Sequence, residues 1–390
     1  MPPAPELHKL PRSSRPVYLD CNATSPIEPE VLECMIHFCR EEYGNAGSRT
    51  HIYGAAANRA LRRAREQIAG VVASAWEEVV FTSGATESNN LAIFGVAATA
   101  AANSGARHII STQIEHKAVL EPLEELERRG FEVTLVPVER TGVVDVCAIR
   151  AALRSDTLLV SVMHVNNETG VIQPLAEIAE ILNDHPAVFH TDAAQGFGKE
   201  LEYLRSARLD LISISGHKLY APKGIGALVV RSSRRELRLA PILFGGGQEL
   251  GLRPGTVPVH LAVAMGAATE IALRDQALRR AACLKFRETL LTHLAPLRPV
   301  IHGDTARTLP HVLNMRFGEI DSEALLIALK DIVAISNGSA CTSAHYAPSH
   351  VLKAMGLTDT QANAATRWSW SHQTPPVDWQ ELVDAIRLLM

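Results

Sequence analysis

Four short segments place reactive side chains among residues too small to crowd them. The first, Ser213-Ile214-Ser215-Gly216-His217-Lys218, runs from an apolar stretch straight into a lysine. A free lysine amine titrates near ~10.4 and is a poor nucleophile at neutral pH. It becomes a good one when a pocket strips its water or a second cation sits close by. On an open surface the same residue is only a solvated lysine, so Lys218 needs company to be read as reactive. The second segment, Val188-Phe189-His190-Thr191-Asp192-Ala193-Ala194-Gln195, supplies it, because an apolar run delivers Asp192 at its end. An aspartate there either caps a helix or keeps a pyridinium nitrogen protonated, as pyridoxal phosphate (PLP) needs when it serves as an electron sink. An amine and a carboxylate at the ends of two strands form the arrangement a PLP Schiff-base site requires.

The third segment, Thr82-Ser83-Gly84-Ala85-Thr86-Glu87-Ser88, lies between a strand-like and a helix-like stretch. The unpaired N–H groups and positive dipole end of a helix start hold a phosphate, and Gly84 is expected to let the backbone approach it. No G-x-x-x-x-G-K pattern occurs here. Gly224-Ile225-Gly226 and Gly245-Gly246-Gly247 lack the context of a dinucleotide fold. The fourth segment, Ser336-Asn337-Gly338-Ser339-Ala340-Cys341-Thr342-Ser343-Ala344, surrounds a thiol with small residues. Buried structural cysteines sit among larger apolar neighbours, whereas a reactive one needs exposure and a lowered pKa. His116, Asn167 and Arg367 stand in similar strand-end or loop settings. Arg367 suits bidentate binding of a carboxylate, or a plain surface ion pair.

The elements that must position these groups follow from the apolar pattern. Strands are expected at 78–82, 108–111, 131–137, 157–163, 187–190, 211–215 and 227–231, separated by helices at 88–102, 119–129, 146–153 and 175–183, with an earlier helix at 30–42. Continuous apolar strands alternating with helices predict an α/β fold whose largely parallel sheet is buried on both faces. In such sheets chemistry gathers beyond the C-terminal ends of the strands. An unbroken helical stretch over 259–294 should lead to a second domain with a strand at 312–317 and helices at 322–330 and 381–389.

Composition narrows the classes. With 390 residues, 47 % apolar and 21 % charged, the chain is an ordinary globular protein long enough for two domains. A net charge of −4 and no basic block longer than a pair argue against direct nucleic-acid binding. Residues 1–16 are rich in proline and charge without an apolar core, so a loose arm is expected rather than a targeting segment. The apolar stretch 91–102 is too short to span a membrane, and a cytoplasmic location is expected. Six scattered cysteines do not form a disulfide framework. Cys34, His37 and Cys39 read as a helix face rather than a metal site.

Taken in order, eight segments resemble the cysteine desulfurases, PLP-dependent proteins of the class-V aminotransferase type, close to the bacterial iron–sulfur-cluster kind. They are Tyr18-Leu19-Asp20 with Ala23-Thr24, Thr82 to Ser88, Glu115-His116-Lys117, Asn166-Asn167-Glu168, Asp192 with Gln195, Ser215 to Lys218, Arg253-Pro254-Gly255-Thr256, and the Cys341 loop. The resemblance implies PLP fold type I. That means a large domain with a mostly parallel seven-stranded sheet, here 28–275, and a smaller α+β domain, here 1–27 with 276–390, carrying the Cys341 loop. It implies that Lys218 bonds to the cofactor aldehyde, that His116 stacks on the ring and moves protons, and that Asp192 and Gln195 hold the ring nitrogen and hydroxyl. Thr86, Ser215, His217 and the Ala85 backbone would hold the phosphate. Thr256 would reach the phosphate of a neighbouring subunit in a homodimer. Asn167 and Arg367 would bind the carboxylate of L-cysteine. The reaction implied yields L-alanine and a persulfide on Cys341 that passes to an acceptor protein.

Departures from the family pattern are Cys21, Ser25, the run Arg367-Trp368-Ser369-Trp370-Ser371-His372, and an end soon after the last helix. They suggest a specialised desulfurase, with iron–sulfur cluster assembly or sulfur supply to DNA phosphorothioation as its pathway. Selenocysteine lysis, another PLP reaction on this fold, and a non-catalytic sulfur relay are the alternatives.

Overall fold

The computed structural model describes residues 15–103, 105–232, 237–337 and 348–390. The expected Cys341 loop, and all but the end of the expected N-terminal arm, lie outside the described residues. The strands among them are β1 (Val17–Tyr18), β2 (Val79–Thr82), β3 (His108–Thr112), β4 (Glu132–Val136), β5 (Thr157–Ser161), β6 (Val188–Asp192), β7 (Leu211–Ser215), β8 (Gly226–Val230), β9 (Val300–His302), β10 (Val312–Arg316), β11 (Val333–Ala334) and β12 (Thr366–Ser369).

Seven strands form one sheet in the order β2-β8-β7-β6-β5-β3-β4. From β7 to β4 every pairing is parallel. β8 runs antiparallel to both β2 and β7. Every residue of β2, β3, β5, β7 and β8 is buried, which is why these strands read as continuous apolar runs rather than alternating ones. Some of the polar side chains bridge neighbouring strands. The His190 ring lies between the hydroxyls of Ser161 at 2.8 Å and Ser213 at 3.0 Å, bridging three neighbouring strands. Burial pushes its pKa down to about 3, so this histidine is a neutral structural residue.

Helices cover the sheet. Ile52–Val72 and Pro29–Arg40 both pack on Val259–Arg274. Helix Ile52–Val72 was absent from the expected elements, although Gly54, Ala57, Leu61, Ala64, Ile68 and Val71 recur at helical spacing and are the buried ones. The stretch expected to run unbroken over 259–294 is instead two helices, Val259–Arg274 and Gln276–Leu294. They meet at Asp275, which leaves helical geometry at φ −105° and ψ 10° and pairs its carboxylate with Arg274 at 2.8 Å. A short acidic side chain with a local partner competes with helical backbone.

A second, three-stranded antiparallel sheet, β12-β10-β9, carries its own core with Phe317, Leu325, Trp368, Trp370 and Ile386. The chain start is stitched into this part. β1 pairs with β11. Ser369 N–H donates to the Leu19 carbonyl at 2.8 Å, and Cys21 N–H to the Ser369 carbonyl at 2.9 Å.

Arg208 ties the entries to β6 and β7 together. Its guanidinium pairs with buried Asp210 at 2.6 Å and donates to the carbonyls of Leu182, His185 and Ala187. Removing one partner of a buried, hydrogen-bonded ion pair leaves the other charge uncompensated. Arg208→Ala is therefore expected to cost ~3–5 kcal/mol of stability, read from the midpoint of a urea unfolding curve.

Candidate active site

Beyond the C-terminal ends of β2, β6 and β7 lies a cavity of about 400 Å³. It is lined by Ala85, Thr86, His116, Asn167, Asp192, Gln195, Ser215, His217, Lys218 and Arg367. Parallel pairing of β6 with β7 in the register Asp192↔Ser213 brings the aspartate and the Ser215–Lys218 turn to the same end. Thr256 is exposed and does not line the cavity, and Cys341 lies outside the described residues.

Each polar group is held by specific partners. Asp192 Oδ2 accepts from Asn89 Nδ2 at 2.7 Å, and Oδ1 from Ala194 N–H at 2.9 Å. The Lys218 amine donates to the carbonyls of Asn22 and, at 2.7 Å, Ala23. Gln195 Nε2 donates to the Asn22 carbonyl at 3.0 Å. His217 Nδ1 is 3.2 Å from Thr24 Oγ1. Burial first, then the neighbouring cations of Lys218 and Lys223, lower the His217 pKa to about 4, so its ring is neutral near pH 7. His116 is the N-cap of helix Lys117–Arg128, and its Nδ1 accepts from Ala118 N–H at 3.0 Å. That bond fixes the ring plane and leaves Nδ1 without a proton. Arg367 donates through Nη1 to the Asn167 carbonyl at 3.1 Å and through Nη2 to Asp20 Oδ1 at 2.7 Å.

The Thr82–Ser88 segment starts helix Ala85–Asn103. Burial opposes the charged form of Glu87, but hydrogen bonds from Ser83 and Arg253 outweigh it and hold the carboxyl below its usual range. The role expected of Gly84 is shared. A Cβ on Gly84 would meet no atom within 4 Å, so its absence leaves room at the cavity wall. The close approach belongs to Gly226, where a Cβ would lie 2.5 Å from the Ile214 carbonyl oxygen and 2.6 Å from Gly84 Cα.

PLP presents an aldehyde, a ring nitrogen, a ring hydroxyl and a phosphate, and this cavity has a feature for each. The Lys218 amine faces the first and the Asp192 carboxylate suits the second. Gln195 Oε1 and Asn22 Oδ1 are buried side-chain atoms without a hydrogen-bond partner among the described residues, so polar capacity remains beside the ring position. A helix start with an open glycine position suits the phosphate. The residues present fit the group.

Four contributors escaped the sequence analysis as site residues: Asn22, Ala23, Asn89 and Glu115. Ala23, and Asn22 toward Lys218 and Gln195, act through backbone carbonyls that carry no sequence signal, and Asn89 looks like any helical asparagine. Glu115 was visible only as part of a motif. It is fully buried, with Oε1 accepting from Thr112 Oγ1 and Met163 N–H, each at 2.8 Å, and with Oε2 unpartnered among the described residues. Burial pushes its pKa up to about 8. The folded protein thus binds a proton here that the unfolded chain releases above the ordinary carboxyl pKa, so stability falls as pH rises toward about 8. Glu115→Gln should remove this slope. Its melting temperature relative to the parent is expected to improve from pH 5 to pH 8, and parallel curves across that range would count against a raised Glu115.

The family profile described as Aminotransferase class-V matches residues 17–376. The chain is 46 % identical over 376 residues to "Cysteine desulfurase IscS" of Vibrio cholerae, covering 96 % of this chain and 92 % of that one. It is also 46 % identical over 356 residues to a human "Cysteine desulfurase", covering 91 % and 77 %. Among solved structures, a NifS-like protein superposes with a TM-score of 0.86 at 35 % identity, covering 96 % of this chain and 98 % of that one. DndA from Streptomyces lividans superposes with a TM-score of 0.79 at 46 % identity, covering 90 % and 98 %. With its mostly parallel seven-stranded sheet matching theirs, this chain belongs to the class-V aminotransferase family.

Proposed function

We propose that this protein is a PLP-dependent cysteine desulfurase that converts L-cysteine to L-alanine and collects the sulfur as a persulfide on Cys341. One observation carries the reading: Lys218, Asp192, the helix start at Ala85 and Arg367 converge on a single cavity. The naming of 46 %-identical relatives as cysteine desulfurases supports the substrate.

Bound there, PLP supplies an electron sink for the Cα of an amino acid joined to its aldehyde. Asp192, locked by Asn89 and Ala194, would hold the ring nitrogen, and Gln195 the ring hydroxyl. Thr86, Ser215, His217 and the Ala85 N–H would hold the phosphate, with neutral His217 serving as a hydrogen-bond partner rather than a cation. Lys218 would anchor the cofactor and, when its amine is free, take the Cα proton of the substrate. His116, held by its N-cap bond, would stack on the ring. Arg367 and Asn167 hold the substrate carboxylate. The Cys341 thiolate attacks the substrate sulfur, so an S–S bond forms as the Cβ–S bond breaks, and the carbon left behind is protonated to alanine.

The family reading carries a homodimer, and Phe244 and Leu250, 87 % and 71 % exposed, offer apolar surface for it. Thr256 lies close in sequence to both, as a residue serving a second copy would. We also read 28–275 as a large unit and 1–27 with 276–390 as a small one, supported by the break at Asp275 and the stitching of the chain start to β12. The sulfur is destined for an acceptor protein. Identity to IscS and to DndA is the same, 46 %, and does not choose between cluster assembly and DNA phosphorothioation. Among the described residues no helix is long and apolar enough to cross a membrane.

Borohydride treatment of the yellow protein is expected to fix the cofactor at Lys218, located by peptide mapping, and Lys218→Ala should lose ~10²–10⁴-fold in turnover. Cys341→Ser should stay yellow and lose sulfide release. Undiminished sulfide from that variant would remove the persulfide step.

A further inference from the structure

We propose that Asp20 is a specificity-determining residue at the carboxylate end of the site. Its charge offsets that of Arg367, so that the arginine recognises an amino-acid carboxylate yet lets the product go. The inference rests on Arg367 being the carboxylate binder.

The pair is close and nearly sealed. Arg367 Nη2 lies 2.7 Å from Asp20 Oδ1, with side chains 5 % and 17 % exposed. Arg367 lines the cavity whereas Asp20 does not. The carboxylate therefore stands behind the guanidinium rather than in the ligand's place. Neither partner can drift. The Asp20 carbonyl accepts from the Tyr18 hydroxyl and from the N–H groups of Ala23 and Thr24. Arg367 is fixed by its β12 register opposite Asn314 and by two backbone bonds with Ser336.

The other hydrogen-bond partners of the guanidinium among the described residues are neutral, the Asn167 carbonyl at 3.1 Å and Ser336 Oγ at 3.5 Å. Its Nε–H is buried and unpartnered among the described residues. Glu168 also lies within electrostatic reach of Arg367, but burial drives it toward the neutral acid and its carboxyl is engaged by Ser349. Among the described residues, that leaves Asp20 as the acidic side chain paired with the arginine.

In a site partly closed to water, like charges interact strongly over several ångströms. A ligand carboxylate drawn to Arg367 is thus repelled by Asp20 through it. The effect is one of charge, separable from the effect of holding the side chain in place. Asp20→Asn keeps an oxygen to accept from Nη2 and removes only the charge.

The test is equilibrium binding of L-alanine and of ethylamine, which lacks the carboxylate, to the cofactor-loaded protein, followed by the change in cofactor absorbance. In Asp20→Asn the dissociation constant for L-alanine is expected to fall about tenfold, ~1.4 kcal/mol, with that for ethylamine unchanged. A merely structural role would weaken both ligands together, and an L-alanine constant that is unchanged or raised overturns the proposal. Arg367→Gln, measured alongside, should abolish the preference for L-alanine over ethylamine. If that preference survives, the carboxylate reading of Arg367 falls and takes this inference with it. If it is lost while Asp20→Asn shows no tightening, only the role of Asp20 falls.

Discussion

The Lys218 amine rests against the carbonyls of Asn22 and Ala23, and the two sides of that contact are anchored in different sheets. Lys218 follows directly from β7, in the middle of the large parallel sheet. Asn22 and Ala23 hang from a segment held by the small one. Asn22 N–H donates to Ser369 Oγ, and the residues before it pair with β11 and β12. Arg367 lies two residues from Ser369 on that same strand. Any movement of the small sheet therefore shifts the lysine's resting place and Arg367 together. A cavity walled by both sheets can be closed or opened by one displacement, which suits a site that excludes water during chemistry and then releases product.

Around the cavity, burial and polar partners compete to set each group's charge. Glu87 keeps its charge through Ser83 and Arg253. Arg367 has Asp20. His217 and Glu115, less well provided, move toward their uncharged forms. The pocket thus offers a few fixed charges in a largely neutral lining, and such charges act over distance more strongly than they would in water.

Much of this could be read from residues in order. The buried strands were visible because sheets covered on both faces impose continuous apolar runs, and Asp192 and Lys218 stood out because each ends such a run. Helix Ile52–Val72 is hard to read because half of its buried face is alanine and glycine, a weak signal beside the arginines on its other side. The break at Asp275 was overlooked because it depends on one side chain pairing locally with Arg274. Gly226 permits the turn at Gly84 to approach the sheet, and that need arises only when β8 is laid between β2 and β7.

By itself, the sequence determined which side chains carry usable chemistry and which stretches are strand or helix, since both depend on residue type and on periods a few residues long. The tertiary structure alone decided which of them meet. Asn22, Asn89 and Asp20 join Lys218, Asp192 and Arg367 through contacts spanning a hundred residues or more. Register between distant strands is set by packing and backbone hydrogen bonding across the whole sheet, not by any local pattern.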